Sequence, residues 1–193
     1  MNELDLIHNQ LRAERARATE VARACADAAA SDEFRQSCVE YLVFVLTRFE
    51  ERDQMLAELY RSRFPAADPA RRQMDEIVSR AGTSREALAK LEAALTASGA
   101  SAAAASANGT APTTADARVS STVPTTADAR ARWRQFDEFF AGPWRARRDA
   151  IDALLQPNVR ISDWRAVSFV DADSIVEERT RYARVQAAGS RRD

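Results

Sequence analysis

The chain has 193 residues, 46% hydrophobic and 30% charged, which suits one domain, or one domain with an appendage, built around a helical core. Its formal net charge of −1 excludes the global basic field of a protein that grips nucleic acid through its phosphates. The charge is uneven: residues 1–96 carry 14 basic and 17 acidic side chains, whereas residues 130–193 carry 13 and 10, and Lys90 is the only lysine.

The chain opens on MNELDLIHNQ, without the basic and apolar regions of a secretory leader. Leu4, Ile7, Leu11, Ala18, Val21, Cys25 and Ala28 recur at steps of three and four, with Glu14 filling the remaining step. That spacing predicts an amphipathic helix with one acid on its apolar stripe. Ser31-Asp32 ends it and caps the next. Phe34, Cys38, Tyr41, Leu42, Val45, Leu46, Phe49, Leu56 and Leu59 predict a second, deeply buried helix, stopped by Phe64-Pro65. Its apolar run Leu42–Leu46 is far too short to span a bilayer, so a cytoplasmic protein with no membrane partner is expected. Met74, Ile77 and Val78 mark a third helix over 70–81, with Gly82 as C-cap and Thr83 or Ser84 capping a continuation through Leu88, Leu91 and Leu95.

Residues 97–129 change character. Of these 33 residues, 23 are Ala, Ser or Thr, and PTTADAR occurs twice, at 112–118 and 124–130. Such a segment lacks the apolar area to offset its ordering entropy and reads as a disordered linker. Trp133, Phe136, Phe140, Trp144, Ile151, Leu154 and Leu155 then predict a last bundle helix from near Ala131 to Pro157, kinked at Gly142-Pro143. Ser162 caps a thinner fifth segment through Trp164, Val167, Ile175, Tyr182 and Val185, which also carries Asp171 and Glu178. The expected fold is all-α: a four-helix up-down bundle with a long disordered insertion before its last helix and an extra peripheral C-terminal helix. The expected parts are helices 1–3 in 1–96, the linker in 97–129, and the remaining helices in 130–188.

Little in the sequence points to catalysis. His8 is the single histidine, and no GxSxG, P-loop, GxGxxG or CxxC accompanies it. Cys25 and Cys38 fall on apolar stripes and read as buried thiols. A di-iron carboxylate bundle needs Glu-x-x-His pairs, which are missing, so no cofactor is expected; the acids and histidine nearest to a ligand set are His8, Glu14 and Glu50. The turn Glu50-Glu51-Arg52-Asp53 follows a nearly all-apolar stretch and must face solvent, pair internally or meet a partner.

FRQSCVEYLVFVLTRFEERDQML, from Phe34 to Leu56, resembles the second helix of the Rsd/AlgQ family, bacterial regulators that bind the primary sigma factor. The matching positions are Phe34, Val39, Glu40, Tyr41, Leu42, Glu51 and Arg52. FDEFFAGPWRARRDAIDALL is similar in apolar spacing to that family's last helix, but Arg147 and Arg148 stand where the family carries an acidic pair. The resemblance implies a non-enzymatic transcription regulator that binds a sigma factor or RNA polymerase and no nucleic acid directly. Its partner-binding residues are expected at Glu50, Glu51, Arg52 and Asp53, with Arg145 and Arg148 as further contacts. His8 with LRAER also resembles the first element of a hemerythrin-like bundle; Arg48, Arg52, Pro143 and Arg147 occupy the later ligand positions, implying a degenerate metal site. A secretion-associated or chaperone-like protein acting through its linker is the third reading.

Overall fold

A computed structural model of the chain describes residues 3–27, 30–79, 86–90, 92–93, 126–167 and 171–190. Among them the regular structure is helical and no strand occurs. Helix α1 spans Glu3–Cys25, α2 Asp32–Arg63 and α3 Pro69–Ser79. Helix α4, Thr126–Phe139, runs through a π-helical turn at Phe140–Trp144 into α5, Arg145–Asn158. Two further helices follow, α6 at Ile161–Val167 and α7 at Ala172–Gly189.

Local chemistry sets the helix ends. The Ser31 hydroxyl accepts the Phe34 amide at 3.2 Å and caps α2. Phe64 leaves the helix in extended conformation before Pro65. Asp68 accepts the amide of Ala70 at 2.8 Å as α3 opens, and Asp171 accepts that of Ser174 at 2.9 Å at the start of α7. Arg35 donates to the Asp27 carbonyl at 2.9 Å, supplying a cation where α1 has just ended.

The helices alternate in direction. The C-terminal half of α1 (Ala18, Val21, Ala22, Cys25) shares one apolar cluster with the N-terminal half of α2, with Trp133, Phe136, Phe140 and Trp144, and with Leu88 and Val185. The opposite halves of α1 and α2 share a second cluster, in which Ile7, Leu11, Leu56 and Tyr60 meet Met74, Ile151, Leu155, Trp164 and Val167. Helices α1 and α2 are therefore antiparallel, α4 and α5 run with α2, and the up-down bundle expected from the apolar spacing is the fold. Segments 1–96 and 130–188, separated in the chain by the Ala/Ser/Thr stretch, share both clusters.

Some boundaries differ from expectation. Helix α4 begins at Thr126, inside the second PTTADAR copy, rather than near Ala131. The remainder of the predicted linker, together with Ala28, Gly82, Thr83, Ser84, Leu91 and Leu95, lies outside the described residues. The irregularity expected at Gly142-Pro143 is present, as a π-helical turn. Pro143 lacks an amide to donate, and the wider π turn accommodates it without ending the rod. Ser162 does not cap the final segment, which is two helices: the Asp163 carboxylate accepts the Arg160 amide at 2.8 Å as α6 opens, and α7 restarts at its own cap. The thin inward face expected of the C-terminal helix is present, with Glu178 and Val185 its buried residues.

Core substitutions test the packing. Leu42 is fully buried, and Leu42→Ala is expected to cost about 2–5 kcal/mol in urea denaturation. Leu6→Ala, at a half-exposed position on α1, is expected to stay within about 0.5 kcal/mol.

Candidate functional site

The two apolar clusters do not touch end to end. Between them runs a belt of charged side chains at mid-height: Glu14 on α1, Glu50, Arg52 and Asp53 on α2, Arg148 on α5 and Glu178 on α7, each no more than 4% exposed. The sequence dictates this placement. Glu14 takes one step of an otherwise apolar stripe, and Glu50 to Asp53 fall between Phe49 of one cluster and Leu56 of the other. Arg147 and Arg148 fall likewise between Trp144 and Ile151.

Asp53, with no exposed surface, is the centre of the belt. Arg148 grips it with both terminal nitrogens, Nη1 at 2.8 Å. Arg147 donates to it at 3.2 Å, and Arg52 lies 3.8 Å away. The arginines also cover aromatic faces. Arg52 lies 4.7 Å and Arg148 5.5 Å from the Phe49 ring centroid, and Arg148 is 5.8 Å from that of Trp144. A second node joins α1, α2 and α7: Glu178 accepts Arg17 at 2.8 and 2.5 Å and the Tyr41 hydroxyl at 2.6 Å. Glu14 meets Arg48 at 3.5 Å, an ion-pair distance without hydrogen-bond geometry at Glu14 Oε1.

Burial governs the electrostatics. Desolvation, helped by the positive charges of Arg148 and Arg15, pulls the Arg52 guanidinium down to about 10 against the opposing pull of Asp53. Burial and neighbouring Arg148 also lower Arg147. Burial raises the Glu14 carboxyl, and Arg48 offsets only part of that. Tyr41 is pushed up by burial and by its hydrogen bond to Glu178. The Nε atoms of Arg15, Arg52, Arg147 and Arg148 are buried and have no hydrogen-bond partner among the described residues. Glu14 Oε1 is likewise buried without a hydrogen bond among the described residues, so the belt is held by charge as much as by hydrogen-bond geometry.

Beside the belt, α1 and the start of α5 bound an open groove of about 590 Å³. Arg12, Arg15, Thr19, Glu20 and Arg23 line it from α1; Trp144, Arg145, Arg148, Asp149 and Asp152 line it from the π turn and α5. Arg15 bridges it to Asp152 at 2.7 Å, and Glu20 accepts the Tyr182 hydroxyl at 2.9 Å. Phe140 stacks on Trp144 with ring centroids 4.2 Å apart and so steadies the indole.

These positions correct the expected binding turn. Glu50, Arg52 and Asp53 are buried in the belt and present no surface to a partner, and Arg148 is buried at the floor of the groove; Glu51 and Arg145 are exposed. The helix continues without a break through Asp53, and because α2 packs against α1, α3 and α7 it buries Glu50, Arg52 and Asp53 even though Glu50 and Arg52 lie on nearly opposite faces. Arg15 and Arg17 were not singled out, and Arg147 and Glu178 were noted but not as site residues; the interruption of apolar stripes by charge at the same height was the available signal. His8, Glu14 and Glu50 do not converge, and no three acids, cysteines or histidines among the described residues come close enough to hold an ion. His8 packs edge-on against Trp164, with ring centroids 5.1 Å apart. At the hemerythrin-like positions, Arg48, Arg52 and Arg147 are belt members, while Pro143 is exposed in the π turn. Cys25 and Cys38 are buried thiols. No helix among the described residues is long and apolar enough to cross a membrane.

Comparison with family models, curated proteins and solved structures gives no match for this chain. The functional reading therefore rests on the groove, the belt and the resemblance of residues 34–56.

Asp53→Ala is expected to lower stability by about 3–5 kcal/mol, because Arg147 and Arg148 then remain buried without their carboxylate. Replacing all three by Leu or Met is expected to recover most of the loss, measured by urea midpoint. Glu14 gives a pH signature. Its folded-state pKa lies above the ordinary value, so the folded protein binds this proton more tightly than the unfolded chain. Stability from this group therefore falls as pH rises from the unfolded value through the folded one. Glu14→Gln cannot ionise and is expected to gain on the parent as pH rises from about 4 to about 7. A gap between the two that does not change with pH would contradict this assignment.

Proposed function

We propose that the chain is a non-enzymatic regulator that binds a protein partner on the outer face of its bundle, the partner implied by the resemblance being a sigma factor. One observation carries the reading: the arginines at the positions where a hemerythrin-like bundle would hold its ligands, Arg48, Arg52 and Arg147, are committed to internal ion pairs. What is left to the outside is a recognition surface with no metal-binding group of three among the described residues. Glu51 and Arg145, both exposed, are the remaining contact residues of the expected set. Arg147 and Arg148, which replace the family's acidic pair, instead hold Asp53.

The direct measurement is retention of purified bacterial sigma factors and RNA polymerase on the immobilised full-length protein. Specific retention of a sigma factor, weakened at least several-fold by Glu51→Lys with Arg145→Glu, is the expected result. Rim charges tune encounter and selectivity, so reversing them weakens binding without unfolding the bundle. If neither sigma factor nor polymerase is retained at micromolar concentration, the proposed partner is wrong.

A further inference from the structure

Building on the protein-binding reading, we infer that the groove between α1 and α5 is the docking site, and that its occupant is an acidic helical segment of the partner. The groove's geometry favours a helix. Arg12 and Arg23 lie eleven residues apart on one face of α1, a span of about 16 Å, or three helical turns. The opposite wall is also helical, so the cleft resembles the seat of a third helix packed on two others.

Charge selects the occupant. Arg15 and Arg148 already engage Asp152 and Asp53. Arg23 and Arg145 have no carboxylate partner among the described residues, and Arg12 bonds only to the Asn9 amide oxygen at 3.4 Å. Three cations therefore surround the groove and remain available. Opposing them are the groove's own acids: Glu20, which accepts from Tyr182, and Asp149. The floor adds a second, independent cue. Arg148 is 2% exposed and reaches the groove, while its Nε and that of Arg15 lack hydrogen-bond partners among the described residues. An incoming carboxylate pairs with Arg12, Arg23 and Arg145 at the rim, as arginines favour carboxylate forks over neutral partners, and the buried guanidiniums of Arg15 and Arg148 add positive potential beneath it. Trp144, buried and held by Phe140 and the π turn, gives that wall of the groove a rigid base.

Fluorescence anisotropy on the full-length protein tests this. The probe is a fluorescein-labelled helical peptide of about fifteen Glu, Ala and Leu residues. The comparison probes are the same peptide with Gln for Glu and a labelled DNA oligonucleotide of similar charge. Saturable binding of the Glu peptide is expected at low salt, with affinity falling as salt rises. Arg23→Glu with Arg145→Glu is expected to weaken it by about tenfold, and Arg184→Glu, on exposed α7 surface away from the groove, to leave it unchanged. Asp149→Asn is expected to tighten binding, a gain that unfolding cannot mimic. No saturable binding, equal binding of the Gln peptide or the oligonucleotide, or indifference to both groove substitutions overturns the inference. Its failure separates from that of the sigma-factor reading. A sigma factor retained equally by the Arg23→Glu, Arg145→Glu protein removes the groove and leaves the partner. Acidic-peptide binding that follows the groove charges upholds the groove even if no sigma factor is retained.

Discussion

The buried ion pairs around Asp53 are the constraint on which the rest of this bundle depends. A carboxylate with no solvent contact is tolerable only where cations and hydrogen bonds replace its water. Two adjacent arginines from α5 do this, and the same arginines are kept in the interior by Asp53 and by the faces of Phe49 and Trp144. Such a pair is no guarantee of stability against a well-packed apolar alternative. It does penalise every arrangement that separates the partners. Sliding α5 along α2 by one turn would pull Arg147 and Arg148 away from Asp53 and strand it, so the belt fixes the axial register of the helices.

That register explains why the core is divided. Apolar residues above and below the belt form two separate clusters, each closed by aromatic side chains: Trp133, Phe136, Phe140 and Trp144 in one, Tyr60 and Trp164 in the other. The Glu178 node, with Arg17 and Tyr41, extends the polar layer to α7 and gives the C-terminal helix, which packs along α2, a buried polar anchor. Every belt contact between α2 and α5 joins segments on either side of the Ala/Ser/Thr stretch. The stretch therefore connects two parts of one cooperative core rather than two independent units.

The belt also reaches the surface at one place. Arg148 holds Asp53 and at the same time lines the groove, and Arg15 lines that groove while adding positive potential at Arg52. A charge entering the groove is thus felt inside the bundle, because low-dielectric surroundings weaken the screening between them. The π turn contributes as well. By keeping α4 and α5 in one rod despite Pro143, it sets the Trp144 indole between the stacked Phe140 ring and the groove.

The sequence by itself determined the helices, their apolar faces and most of their ends. These depend on a 3.6-residue period and on capping chemistry that acts within a few residues, as at Ser31, Asp171 and Phe64-Pro65. It also marked Glu14 and the Glu50–Asp53 turn as anomalies. Their meaning was out of reach, because a charge on an apolar stripe reads alike whether it meets solvent, a partner or a counter-charge on another helix. Only the tertiary structure decided that Asp53 meets Arg147 and Arg148 across 94 and 95 residues of chain, and that Glu178 meets Arg17 across 161. Pairings that distant leave no local periodicity, and with them the expected binding turn became an internal strut.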